Sequence, residues 1–195
     1  EGTPFEEEAR LALLSIYERS RDWPNATEIA ARLGTSSHGS FSTRQAHYLC
    51  EQASASVAIG DTAKALDTLM QAATMAPASA RPLIDLAKLQ NQLGQAQEAL
   101  QTLLKLPATA PQALPLAAGL LANIAQNSGE QQATLALLKE NYAKTPSIDV
   151  IEAIVKLEKE PATARQWYVR HLEREVSLVA ASKWIAGEKL EDEHH

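Results

Sequence analysis

The chain has 195 residues, of which 35 are Ala and 26 Leu against 9 Ile and 6 Val, a balance that denies a β-sheet its usual material and predicts an all-helical fold. A single Cys excludes an internal disulfide and a four-sulfur metal site. A net charge of -6 without a basic stripe excludes an electrostatic grip on nucleic acid.

Taken in chain order, Glu6, Glu7 and Glu8 sit near a helix start, where negative charge complements the helix dipole. The segment containing Tyr17, the turn Arg21-Asp22-Trp23-Pro24 and Ala26 then reads as a first helix pair, with Pro24 suited to a first helical turn and Trp23 placed to pack between units. A Ser, Gly and Thr-rich insertion follows between Gly34 and Ser42, around His38.

The middle of the chain repeats. Ala53 recurs as Ala87, Gly60 as Gly94, Ala65 as Ala99, Leu69 as Leu103 and Pro77 as Pro111, each 34 residues later. That period and those small residues are the pattern of the tetratricopeptide repeat. Close helix crossings require small side chains, which Ala supplies. Gly60 and Gly94 are placed to end first helices in a left-handed turn, Asp61 to cap the next helix, and Pro77 and Pro111 to stop second helices. Pro107 predicts a second helix shortened to about 95–106, with 108–112 as an extended connector.

Gly129 and Pro146 each fall 35 residues after their predecessors and mark a fourth unit. The longest nearly apolar stretch, Leu114 to Ala125, is interrupted by Pro115, Gly119 and Asn123 and is shorter than the ~20 residues of a bilayer-spanning helix, so no direct membrane insertion is expected. The expected organisation is four repeats at about 7–40, 46–79, 80–113 and 114–146, then a degenerate repeat and capping helices over 147–195. Those closing helices are placed at 148–159, 161–173 and 175–190, with Trp167 and Trp184 as apolar plugs and Glu158-Lys159-Glu160 as a solvated turn. The chain begins with Glu, carries no leader pattern, and reads as a soluble piece of a longer protein.

Catalytic signatures are absent from the sequence, which has no nucleophile elbow, paired metal-binding histidines, phosphate loop or dinucleotide fingerprint. His47 and Cys50, three apart on one helix, are the nearest approach to a nucleophile pair or half a metal site. A buried thiol beside a polar neighbour is the simpler reading. The terminal His194-His195 pair supports no metal site, and no cofactor is expected. Function is instead expected on the inner wall lined by the first helix of each pair. Phasing by the Ala marks places Arg19 there from the first unit, with Glu8, Leu11, Ser15 and Glu18 beside it. His47, Cys50, Ser54 and Val57 follow from the second unit, and Arg81, Ile84, Lys88, Asn91 and Gln92 from the third. Arg81, Lys88 and Asn91 form a candidate patch for an acidic ligand. The fourth unit offers only Ala118, Ala122, Ala125 and Gln126.

The stretch LLSIYERSRDWPNATEIAARL, followed by AHYLCEQASASVAIGDTAKALDTLMQAATMAPASARPLIDLAKLQNQLGQAQEALQTLLKL, resembles the middle and later repeats of the lipopolysaccharide assembly protein B family. ENYAKTPSIDVIEAIVKLE is similar to that family's final helical part. The resemblance implies a noncatalytic adaptor of Gram-negative bacteria, anchored in the inner membrane with its repeats on the cytoplasmic side. Its implied partners are the lipid A deacetylase and a membrane AAA+ protease, which together limit lipopolysaccharide synthesis. The family's anchor and its rubredoxin-like metal domain have no counterpart within these residues. A repeat scaffold of another envelope or secretion pathway, and an accessory domain of an enzyme, are the alternatives.

Overall fold

The computed structural model describes residues 4–34, 41–174, 181–182 and 184–186, and among them there are helices and turns but no strand. The insertion around His38, most of the last expected helix and the terminal His pair lie outside the described residues. Two compact units divide at Ala110 and Pro111.

The first unit holds α1 (Pro4–Ser20), α2 (Trp23–Gly34), α3 (Ser42–Ala58), α4 (Thr62–Met75), α5 (Ala80–Gln92), α6 (Ala96–Leu103) and the short α7 (Leu106–Thr109). Helices pack in antiparallel succession, and α5 also touches α3, the first helix of the pair before it. The alanine marks perform their expected task, Ala53, Ala65, Ala87 and Ala99 all being buried at helix crossings, whereas Pro111 opens a 3-10 turn instead of stopping α6. Gly60 and Gly94, two residues past the ends of α3 and α5, adopt φ of +81° and +79°, a left-handed turn that costs glycine little. Arg21 occupies the same turn in the first pair at φ +56°, the one non-glycine positive φ among the described residues. The following acids cap alike: Asp61 accepts from the Lys64 backbone N–H at 3.2 Å, and Asp22 accepts from the Asn25 backbone N–H at 3.4 Å.

Around Pro107 the chain departs from expectation. α6 ends at Leu103, and 108–112 is not extended: the turn at Lys105 leads into α7, and Pro111–Ala113 forms a 3-10 turn. Proline in a first helical turn sacrifices no hydrogen bond, so Pro107 starts a new helix rather than leaving an open strand. Buried Leu106 and Ala110 anchor it.

The second unit contains α8 (Leu114–Ser128), α9 (Gln131–Lys144), α10 (Ile148–Leu157) and α11 (Pro161–Arg174). α10 contacts both α8 and α9, the relation that α5 has to α3 and α4. Helix–helix spacing in sequence explains this: Asp149, Glu152 and Lys156 each lie 33 residues after Leu116, Gly119 and Asn123. Larger residues now fill the interior, with Val150, Ile151 and Ile154 fully buried. Trp167, nearly buried, meets Tyr142 edge-on at 5.7 Å, and the Tyr142 hydroxyl bonds His171 Nδ1 at 3.1 Å, fastening α11 to α9. Glu158 is not a solvated turn residue: its side chain is 15% exposed and its carboxylate pairs with Lys139 at 3.0 Å.

Candidate functional site

Each unit leaves a groove between consecutive first helices. In the first unit, α3 and α5 flank an opening of about 220 Å³ lined by Ser54, Val57, Asp85, Lys88 and Gln92 above a floor that includes Cys50 and Leu89. In the second, α8 and α10 flank a larger one of about 440 Å³.

The α3–α5 groove is electrically closed on itself. Arg81 donates to Glu51 at 2.7 Å and to Asp85 at 3.3 Å, and it also bonds the Nδ1 of His47. Partial burial works against its charge, and the two carboxylates outweigh that, holding the guanidinium proton more tightly than usual. Lys88 approaches Asp85 at 3.8 Å. The expected acidic-ligand patch of Arg81, Lys88 and Asn91 is therefore corrected: its arginine is already committed to two acids of this chain.

The wall residues expected from sequence sit at different depths. Arg19, His47, Ser54, Lys88 and Gln92 are exposed, whereas Arg81, Ile84 and Asn91 are half-buried. His47 meets the Trp23 ring edge-on at 5.9 Å, and Trp23 stacks on Tyr48 at 5.8 Å, so this aromatic cluster joins the first pair to the second. The Tyr48 hydroxyl donates to Glu18 from α1, and burial with that bond pushes its ionisation upward. Cys50 is not an open contact residue. It is 1% exposed, and burial, assisted by Asp85, pushes its thiol up to about 12. A thiol so protonated at neutral pH is a poor nucleophile. Among the described residues no three His, Cys, Asp or Glu side chains gather as a metal site requires.

The fourth unit's wall requires the clearest correction. Ala118, Ala122 and Ala125 are fully buried and face the helix crossings. Small residues mark where helices touch, so phasing a wall on them selects the packed face instead. The open face carries Leu116, Gly119, Leu120 and Asn123, opposite Asp149, Glu152 and Lys156 of α10. Gln126 does face outward, donating to the Lys156 carbonyl at 3.1 Å. The signal for this groove lies in the 35-residue step: Gly119 follows Ile84 and Cys50 in the repeat register.

Residues 57–124 match the tetratricopeptide-repeat family profile. Solved structures extend the likeness along nearly the whole chain. TTC0263, a thermophilic tetratricopeptide-repeat protein of Thermus thermophilus, superimposes with a TM-score of 0.52 at 16% identity, covering 93% of this chain and 98% of that one. This is a tetratricopeptide-repeat fold. Another tetratricopeptide-repeat protein, from Parabacteroides merdae, gives 0.54 at 13% identity over 86% of this chain and 66% of its own. MamA of Desulfovibrio magneticus RS-1 gives 0.52 at 14% identity over 86% and 93%. Comparison with curated protein sequences yields no match. Among the described residues no helix of this repeat fold is long and apolar enough to cross a membrane.

Proposed function

We propose that this chain is a noncatalytic scaffold that holds protein partners in the grooves between consecutive first helices. The observation that carries the reading is the division of labour within each repeat. In α3, α5 and α8 the crossing positions Ala53, Ala87 and Ala122 are small and buried, whereas the positions one turn away line open grooves and differ in chemistry from one pair to the next. The buried, protonated Cys50 removes the support for an enzymatic role of the His47 and Cys50 neighbourhood.

Within that reading, the resemblance of residues 13–33, 46–106 and 140–158 to lipopolysaccharide assembly protein B supports a specific assignment. The chain is the repeat region of an adaptor, acting at the cytoplasmic face of the inner membrane, that presents the lipid A deacetylase to a membrane AAA+ protease. Surface-plasmon measurements with the immobilised full chain test it, using purified deacetylase and the soluble portion of the protease. Saturable binding of both is expected, weakened by Lys88→Glu at the exposed rim of the α3–α5 groove. Binding of neither protein overturns the adaptor assignment.

A further inference from the structure

We infer that the contact between His47 and Arg81 is a proton-released latch between α3 and α5, closed while the imidazole is neutral and opened when it takes up a proton. The two residues hold one register position in consecutive first helices, 34 apart, and the guanidinium Nη1 meets the imidazole Nδ1. A guanidinium has only donors, so the ring nitrogen in front of it must supply a lone pair. In this contact His47 is therefore neutral, with its proton on Nε2. A protonated ring carries hydrogen on both nitrogens and sets donor against donor and cation against cation. Turning the guanidinium does not repair the contact, because arginine has no acceptor to offer. The bond's contribution to stability is thus present on the alkaline side of the imidazole titration and lost as pH falls through it. His47 is exposed, so solvent delivers the proton directly.

The groups around the latch do not replace the lost bond. From α5, Arg81 also donates to Asp85 at 3.3 Å, and Lys88 lies 3.8 Å from the same acid. On α3, Glu51 holds the other end of the guanidinium at 2.7 Å, and Arg44 lies over the Phe41 ring. α2 presents the Trp23 ring, nearly perpendicular to the imidazole, and α1 presents Glu18, which accepts from the Tyr48 hydroxyl. α4 brings no charge to this end, since Lys64 and Asp67 stand in its first half, opposite the far end of antiparallel α3. Glu51 and Asp85 keep the guanidinium in place, so acid releases the imidazole rather than the arginine. Arg81 reaches α3 by two bonds, to His47 and to Glu51, and protonation leaves the second alone. Asp85, held by the same guanidinium, lines the α3–α5 groove, which places the latch one turn from it. In the second unit the same register position holds Leu116 and Asp149, a pair that cannot form this bond, so the device belongs to one seam of the repeat.

Double-mutant cycles on the full chain, read as unfolding constants in urea, test the latch. With His47→Phe, which keeps a ring against Trp23, and Arg81→Met, the native pair should favour the folded state by about two- to fivefold beyond the single effects at pH 8. At pH 5, below the ~6.5 of an ordinary imidazole, that factor should fall to one or less. Repeating the cycle from His47→Asn, whose amide oxygen accepts as Nδ1 does and does not titrate, should give a similar factor at pH 8 and keep it at pH 5. Equal factors at the two pH values in the histidine cycle overturn the latch, as does an absence of coupling at pH 8. A loss in acid from the His47→Asn cycle overturns it too, since the change would then belong to Glu51 or Asp85. Every readout is taken on the free chain, so the latch stands or falls apart from the binding of deacetylase and protease.

Discussion

The grooves of the two units occupy the same repeat register and have opposite characters. Between α3 and α5 the register position is filled by Cys50 and Ile84, and the charges of Glu51, Arg81, Asp85 and Lys88 satisfy one another. Between α8 and α10 the corresponding position is Gly119, the near rim is the apolar Pro115, Leu116 and Leu120, and Asp149, Glu152 and Lys156 stand on the facing helix. Since the crossings Ala53, Ala87 and Ala122 are equally buried in both units, the difference shows that the repeat skeleton and the groove chemistry vary separately.

The contrast predicts where substitution is felt. The largest effect concerns Cys50. If it is the packed counterpart of Gly119, a thiol reagent will label it only as fast as the chain opens, slower than an exposed cysteine by orders of magnitude, and denaturant will restore ordinary rates. Its raised pKa also has a sign. The unfolded thiol ionises from about 9 and the folded one only near 12. Above pH 9 the unfolded state thus binds fewer protons, and stability falls as pH rises, with a slope that Cys50→Ala reduces in alkaline urea titrations.

Next in size, Ala122→Leu should cost about 1–3 kcal/mol by overpacking a crossing, measured by urea denaturation. Gly119→Ala, one turn away in open space, should instead stabilise by up to about 1 kcal/mol. Equal losses at both positions would break the distinction between crossing and groove. Tyr142→Phe removes the partner of buried His171 and should cost about 1–2 kcal/mol, read by the same denaturation, with fluorescence of Trp167 reporting the loosening of α11. A double-mutant cycle across Arg81 and Glu51 should give a coupling of only about 0.5–1 kcal/mol, because the arginine is 39% exposed. The smallest change is Arg21→Gly, expected to gain roughly 0.5 kcal/mol by relieving a left-handed backbone, offset in part by the entropy of glycine in the unfolded chain.

The architecture is legible in the sequence because the residues that build it are chemically unambiguous: glycine in a left-handed turn, aspartate at a cap, alanine at a crossing. Legibility ends where one residue type admits two roles. Pro107 reads as a stop, and it is also an acceptable helix start. Ala118, Ala122 and Ala125 read as a bland wall, when the same smallness identifies contact with a neighbouring helix. Cys50 falls on the boundary between wall and floor, one side chain's depth from either. The α8–α10 groove is legible only through its register with earlier pairs, because α10 has replaced the alanine mark by Val155. Burial of Glu158 depends on Lys139 from another helix and has no local signature.

The left-handed turns at Gly60, Gly94 and Gly129 share φ values of +81°, +79° and +79°. A copy of residues 46–79 inserted after Ser79 would meet the same turn and the same crossing on both sides. The chain can thus lengthen by gene duplication in whole-repeat steps, each new copy inheriting a working scaffold while its groove residues remain free to diverge toward a different partner.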